Sequence, residues 1–122
     1  MQPNRKALIG AFANMALAVV LGAFGAHALR DSLSEQAMAW YHTGHNYHMW
    51  CGLGWIAAAL AGGCKGVSWL FGIGFVLFSG SLYAMALTGE TKLGMITPLG
   101  GICFIVAFGW MAWRMIRTPE SE

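Results

Sequence analysis

Charge is what this chain has least of. Seven Lys or Arg and five Asp or Glu stand among 122 residues, 10% of the total, where an ordinary soluble domain carries about 25%. So few charges cannot clothe a soluble surface, and lipid is the expected solvent. Carboxylates are scarcer still inside the apolar stretches: Asp31, Glu35, Glu90, Glu120 and Glu122 all lie outside them. That removes paired-carboxylate chemistry from the interior and the embedded charges that usually mark an ion route. Cys51, Cys64 and Cys103 are odd in number and scattered, which excludes a disulfide framework; they read as small packing residues. There is no phosphate-cradling loop and no nucleophile–base pair with a third orienting group. An enzyme is the function class with least support, and none is expected.

What the chain does have is long uncharged runs, at 7–29, 36–64, 66–89 and 93–113. Each can supply the roughly 20 apolar residues of a membrane-spanning helix. A soluble four-helix bundle would carry a polar stripe on every helix, and VVLGAFGA and WLFGIGFVLF carry none. The expectation is an all-α integral membrane protein: one domain over 1–122, a bundle of four transmembrane helices at about 7–29, 45–63, 67–87 and 95–114. The basic start and Ala26-His27-Ala28 imitate a signal peptide, but the apolar run exceeds the usual h-region of about 7–15 residues, so a retained anchor is expected. With four spans, one side carries Arg5, Lys6, Lys65, Arg114 and Arg117 and the other only Arg30 and Lys92. The positive-inside rule then puts both termini in the cytoplasm. These flanks account for the basic pI without a nucleic-acid partner.

In the first helix, Ala18, Gly22 and Ala26 form a small-xxx-small face for close helix approach, and Asn14 reads as an interhelical hydrogen-bonding residue. Ser32 and Glu35 have capping-box spacing. A helix from about 33 to 61 is longer than the membrane is thick, so its first part, EQAMAWYHTG, is expected to form a short interfacial extension, with Trp40 and Tyr41 in an aromatic belt. Pro98 stands in the first turn of the fourth helix, where its missing N–H costs least.

The topology gathers the uncharged polar residues. His27, Tyr47, His48, Cys51, Ser79, Ser81, Tyr83 and Thr97 all fall toward the outer ends of their helices. They define a candidate polar cup facing the periplasm, with an interfacial belt as the alternative. His42, His45, His48 and Cys51 follow one another in steps of three. Each step turns a helix back by about 60°, so His42 and Cys51 point opposite ways and no single ion is reached by all four. His42 and His45 are read as interfacial. His27, His48 and Cys51 are weak metal candidates, and His27 is placed to hydrogen-bond Tyr47 or Tyr83. No cofactor is expected.

Four blocks carry a family resemblance: Gly22-Ala23-Phe24-Gly25-Ala26-His27-Ala28-Leu29; Trp40 with Thr43-Gly44 and Tyr47; Leu77-Phe78-Ser79-Gly80-Ser81-Leu82-Tyr83; and Ile96-Thr97-Pro98-Leu99-Gly100-Gly101. In this order and spacing the chain resembles the transmembrane-protein-256-like family, also known as domain of unknown function 423. These are small inner-membrane proteins of bacteria with mitochondrial relatives. The resemblance implies four spans and a membrane location, and supplies no reaction. One departure is Cys51, where the family pattern usually has histidine. The expected function is a structural or assembly role, as a homo-oligomer or part of a larger membrane complex in the lipid bilayer. A small-solute or ion transporter component is the alternative, and haem or metal binding the third reading. The expected location is the bacterial inner membrane, or the mitochondrial inner membrane in a eukaryote.

Overall fold

The computed structural model describes residues 2–120, and these form helices, turns and no strand. The order is α1 (Arg5–His27), α2 (Glu35–Leu60), α3 (Lys65–Gly74), a π-helical turn (Phe75–Gly80), α4 (Ser81–Thr88), a 3₁₀ turn (Thr91–Met95) and α5 (Thr97–Arg117). Three stretches are long and apolar enough to cross a membrane: Arg5–His27, the continuous rod Lys65–Thr88, and Thr91–Arg117. The fourth helix, α2, has 26 residues and falls outside that set because it carries the histidine-rich stretch.

Position compensates for that polarity. Helix α2 is central, packing against α1, α3, the π turn, α4 and α5, whereas the substantial contact of α1 is with α2 alone. On the α3–α5 side of α2 the core is aromatic. Phe71, fully buried, stands 5.1 Å edge-on from Phe108, and Phe75 stands 5.0 Å from Phe104. Cys51 is buried in this cluster. On the α1 side the contact residues are small. The buried line on α1 is Ala7, Ala11, Ala18 and Gly25, with Asn14 completing its alternating steps of four and three.

That line corrects the small-residue face expected at Ala18, Gly22 and Ala26. Ala18 is buried and Gly22 half-buried, but Ala26 is exposed. Repeated steps of four drift by about 40° each around a helix, so Gly25 takes the position against α2. A Cβ there would run into the Tyr41 ring.

The interfacial extension does not stand clear of the bundle. Ala37 and Tyr41 are buried, in a cluster with Leu29 and Ala86. Tyr41 is therefore a core residue rather than a belt residue, and its hydroxyl donates to the Leu21 carbonyl at 2.6 Å. The capping box at Ser32 is replaced by a cap two residues on: Ser34 Oγ accepts from the Ala37 amide at 3.1 Å, while Ser32 turns back to the Ala28 carbonyl. Asn4 ties the other end of the molecule. Its side-chain oxygen caps α1 through the Ala7 amide, and its Nδ2 donates to the Gly63 carbonyl in the α2–α3 turn. Gly62 in that turn and Gly89 after α4 have positive φ, 83° and 75°, which glycine adopts without steric cost.

Candidate functional site

The polar centre of the molecule is His48. It is 3% exposed, on the face of α2 that meets both α1 and α4. Its Nε2 lies 2.8 Å from Asn14 Oδ1 and its Nδ1 lies 2.9 Å from the Tyr83 hydroxyl. A carbonyl oxygen only accepts, so Nε2 carries the proton and donates to Asn14, and Nδ1 accepts from the Tyr83 O–H. One imidazole thus joins three helices. Tyr83 also packs on Tyr41, ring centroids 4.9 Å apart. Asn14 Nδ2 is buried and has no hydrogen-bond partner among the described residues.

Three further ties lie around this node. His45 Nε2 donates to the Ala18 carbonyl at 3.0 Å, in a position that needs glycine opposite. A Cβ on Gly22 would come within 2.6 Å of His45 Nε2. Ser79, 1% exposed, donates to the Gly44 carbonyl at 2.7 Å and joins the π turn to α2. Ser81 and Thr97 share a hydrogen bond that joins α4 to α5. In lipid each of these groups needs an internal partner, and each has one.

The eight residues of the expected cup do not converge. His48 and Tyr83 meet, with Asn14 as the third member. Ser79 has Gly44, and Ser81 has Thr97. Tyr47 is 40% exposed and packs on Phe78 and Trp50. Cys51 faces the aromatic cluster. His27 is exposed at the end of α1; the hydrogen bond expected from it to Tyr83 is made by His48 instead. His42 is exposed, while His45, expected beside it in the wet interface, is bonded between helices.

His27, His48 and Cys51 are not brought together, and among the described residues no group of three or more His, Cys, Asp or Glu side chains is placed to hold a metal ion. Both nitrogens of His48 already have partners, so an axial bond to haem would have to break one of them. Tyr41 and His45, which sequence reasoning missed as interhelical ties, were readable in one respect. Tyr41, His45 and His48 run along α2 in steps of four and three, in antiparallel match to Leu21, Ala18 and Asn14 on α1.

Comparison with known proteins places the chain. The profile of a family described as "Protein of unknown function (DUF423)" matches residues 21–101. The UPF0382 membrane protein YwdK of Bacillus subtilis is 44% identical over 116 residues, covering 89% of each chain. A UPF0382 membrane protein of Staphylococcus epidermidis is 43% identical over 109 residues, covering 85% of this chain and 87% of its own. The UPF0382 inner membrane protein YgdD of Escherichia coli is 34% identical over 109 residues, covering 84% and 83%. No solved structure matches. The four resemblance blocks coincide with helix contacts: Gly22 and Gly25 receive His45 and Tyr41, Gly44 receives Ser79, and Gly100 meets the backbone at Phe78.

Proposed function

The chain belongs to the DUF423 family of membrane proteins, and on that premise we propose that it is a non-enzymatic structural component of the bacterial inner membrane, assembled with copies of itself or within a larger membrane complex. In this reading α2 is the fourth span. Arg5, Lys6, Lys65, Arg114 and Arg117 gather at one end of the bundle, and the positive-inside rule assigns that end, with both termini, to the cytoplasm.

The observation that carries the structural reading is the double engagement of His48. A catalytic base needs a free lone pair directed at a substrate. This imidazole has one nitrogen donating to α1 and the other accepting from α4, so it acts as an interhelical tie. Assembly draws support from α1, which packs substantially on α2 alone and turns Ile9, Phe12, Val19, Val20 and Phe24 outward. The test is native mass spectrometry and in-membrane crosslinking of the purified full chain. A stable oligomer or a stoichiometric co-purifying complex is expected. A strictly monomeric, partner-free protein would overturn the assembly reading, and substrate-dependent turnover or flux in proteoliposomes would overturn the structural one.

A further inference from the structure

Because the substantial contact of α1 is with α2, its flank toward α3 is open, and a cleft runs between α1 and the Lys65–Thr88 rod. Two adjoining cavities make up this cleft, of about 550 Å³ and about 440 Å³, and both touch Trp55 and Gly72. Each falls within the usual volume of a ligand pocket, about 300–1,000 Å³. They differ in chemistry. The first lies where α1 and α3 both begin and is lined by Lys6, Lys65, Ser68 and Trp69. The second runs deeper, past Gly10, Leu17, Phe75 and Val76 to the histidine node.

We propose that this cleft binds an anionic phospholipid, its phosphate held between Lys6 and Lys65 and an acyl chain laid along Trp55 and Gly72 toward Leu17 and Val76. Charge argues for the headgroup. Both lysines are exposed, and among the described residues no carboxylate lines either cavity. Ser68 Oγ accepts from the Trp55 indole N–H at 3.1 Å, so its own O–H is available to donate to a phosphate oxygen. The first turns of α1 and α3 hold no acidic residue, so neither turn carries a charge that offsets the positive helix end beside its lysine. Basic pockets between spans at the membrane surface recognise phosphate headgroups in this way.

Shape argues for the chain. Gly10 and Gly72 both lie against the Trp55 indole, where added Cβ atoms would stand 3.3 Å and 4.0 Å away. The shaft is therefore as wide as two missing side chains allow. His48, Tyr83 and Asn14 Oδ1 turn their polar atoms toward one another and the unpartnered Asn14 Nδ2 is buried away from the surface, so the deep wall offers mainly ring faces and hydrocarbon. A water-soluble anion would leave this shaft empty, and a neutral apolar ligand would leave the lysines unused. An anionic amphiphile engages both.

The test uses the full chain in mixed micelles holding phosphatidylglycerol and phosphatidylcholine of matched acyl chains, read by native mass spectrometry. Phosphatidylglycerol is expected to be retained over phosphatidylcholine by roughly tenfold. Lys6→Gln with Lys65→Gln, both at exposed positions, should abolish that preference. Arg30→Gln with Lys92→Gln removes the same charge from the opposite end and should preserve it. Gly72→Leu, which fills the shaft without touching a charge, should lower retention of both lipids. Equal retention of the two lipids by the unaltered chain overturns the proposal, as does a preference that survives in the double lysine variant. A Gly72→Leu chain with undiminished retention overturns it too, because the headgroup would then be a surface attraction with no seated chain.

Discussion

The two flanks of α2 are built from different materials. Toward α1 the contact consists of alanines and glycines crossed by hydrogen bonds from Tyr41, His45 and His48. Toward α3 and α5 it is a packed aromatic cluster, with Trp55, Phe71, Phe75, Phe104 and Phe108 in mutual ring contact. In lipid, apolar burial gives little drive for helices to associate, and packing and interhelical hydrogen bonds carry the contact instead. The aromatic flank relies on the first, through shape. The α1 flank relies on the second, through direction: a carbonyl or an amide must meet its partner at one register. Mass is thus concentrated on one side and registry on the other.

Substitutions can separate these contributions. The largest loss is expected from Gly100→Ala on the aromatic side. Its Cβ would strike the backbone nitrogen of Phe78 in the π turn, and backbone cannot swing aside as a side chain can. The cost should reach or pass the ~3 kcal/mol upper end of ordinary overpacking, seen as a steep fall in thermal midpoint in detergent. Phe71→Ala removes the fully buried ring at the centre of the cluster. About 3 kcal/mol is expected in chemical unfolding, the bottom of the soluble-protein range, since lipid rather than water surrounds the bundle.

On the α1 flank, His48→Ala deletes two interhelical bonds and strands Asn14 and Tyr83, for a loss of about 2 kcal/mol. Its distinguishing mark is selective loosening of α1, read as faster amide exchange over Arg5–His27 than over Thr97–Arg117. Equal exchange in both would erase the distinction between the flanks. Ser79→Ala removes one neutral bond, for about 0.6 kcal/mol, measurable as a small shift in unfolding midpoint. His27→Ala, at an exposed helix end, should stay within about 0.5 kcal/mol of the parent; a larger change in the same assay would show that α1 has a contact beyond α2.

The helical class and the apolar spans were legible because both follow from charge density and run length, which are properties of the one-dimensional string. The polar residues that matter were legible only as a set. His48, Ser79, Ser81, Tyr83 and Thr97 were all singled out, but pairing needs rotation as well as depth. Grouping polar residues by the outer helix ends left Asn14 out of the set that holds His48, although antiparallel counting along α1 and α2 brings them level. Tyr41 was read as a belt residue because α2 exceeds the bilayer thickness, and His45 as a wet-interface residue beside His42; the structure lays both against α1 instead. The π turn was invisible, since FVLFSG has no composition that separates a wide turn from an ordinary one.

That wide turn has a consequence for sequence change. A uniform α-helix would let the line Phe71, Phe75, Ser79 creep around the rod by about 40° with each step of four. A turn closed by i→i+5 bonds resets the phase, so that Ser79 still faces Gly44 and Tyr83 still faces His48. Losing one residue from Phe75–Gly80 would let the turn close as ordinary α-helix and leave α4 in nearly the same phase, whereas adding one would rotate all of α4 by about 100° and swing Tyr83 out toward the acyl chains. Mean hydropathy, charge and predicted spans would hardly change. An added residue across those six positions should therefore behave like the loss of the histidine itself, and a single deleted one should not.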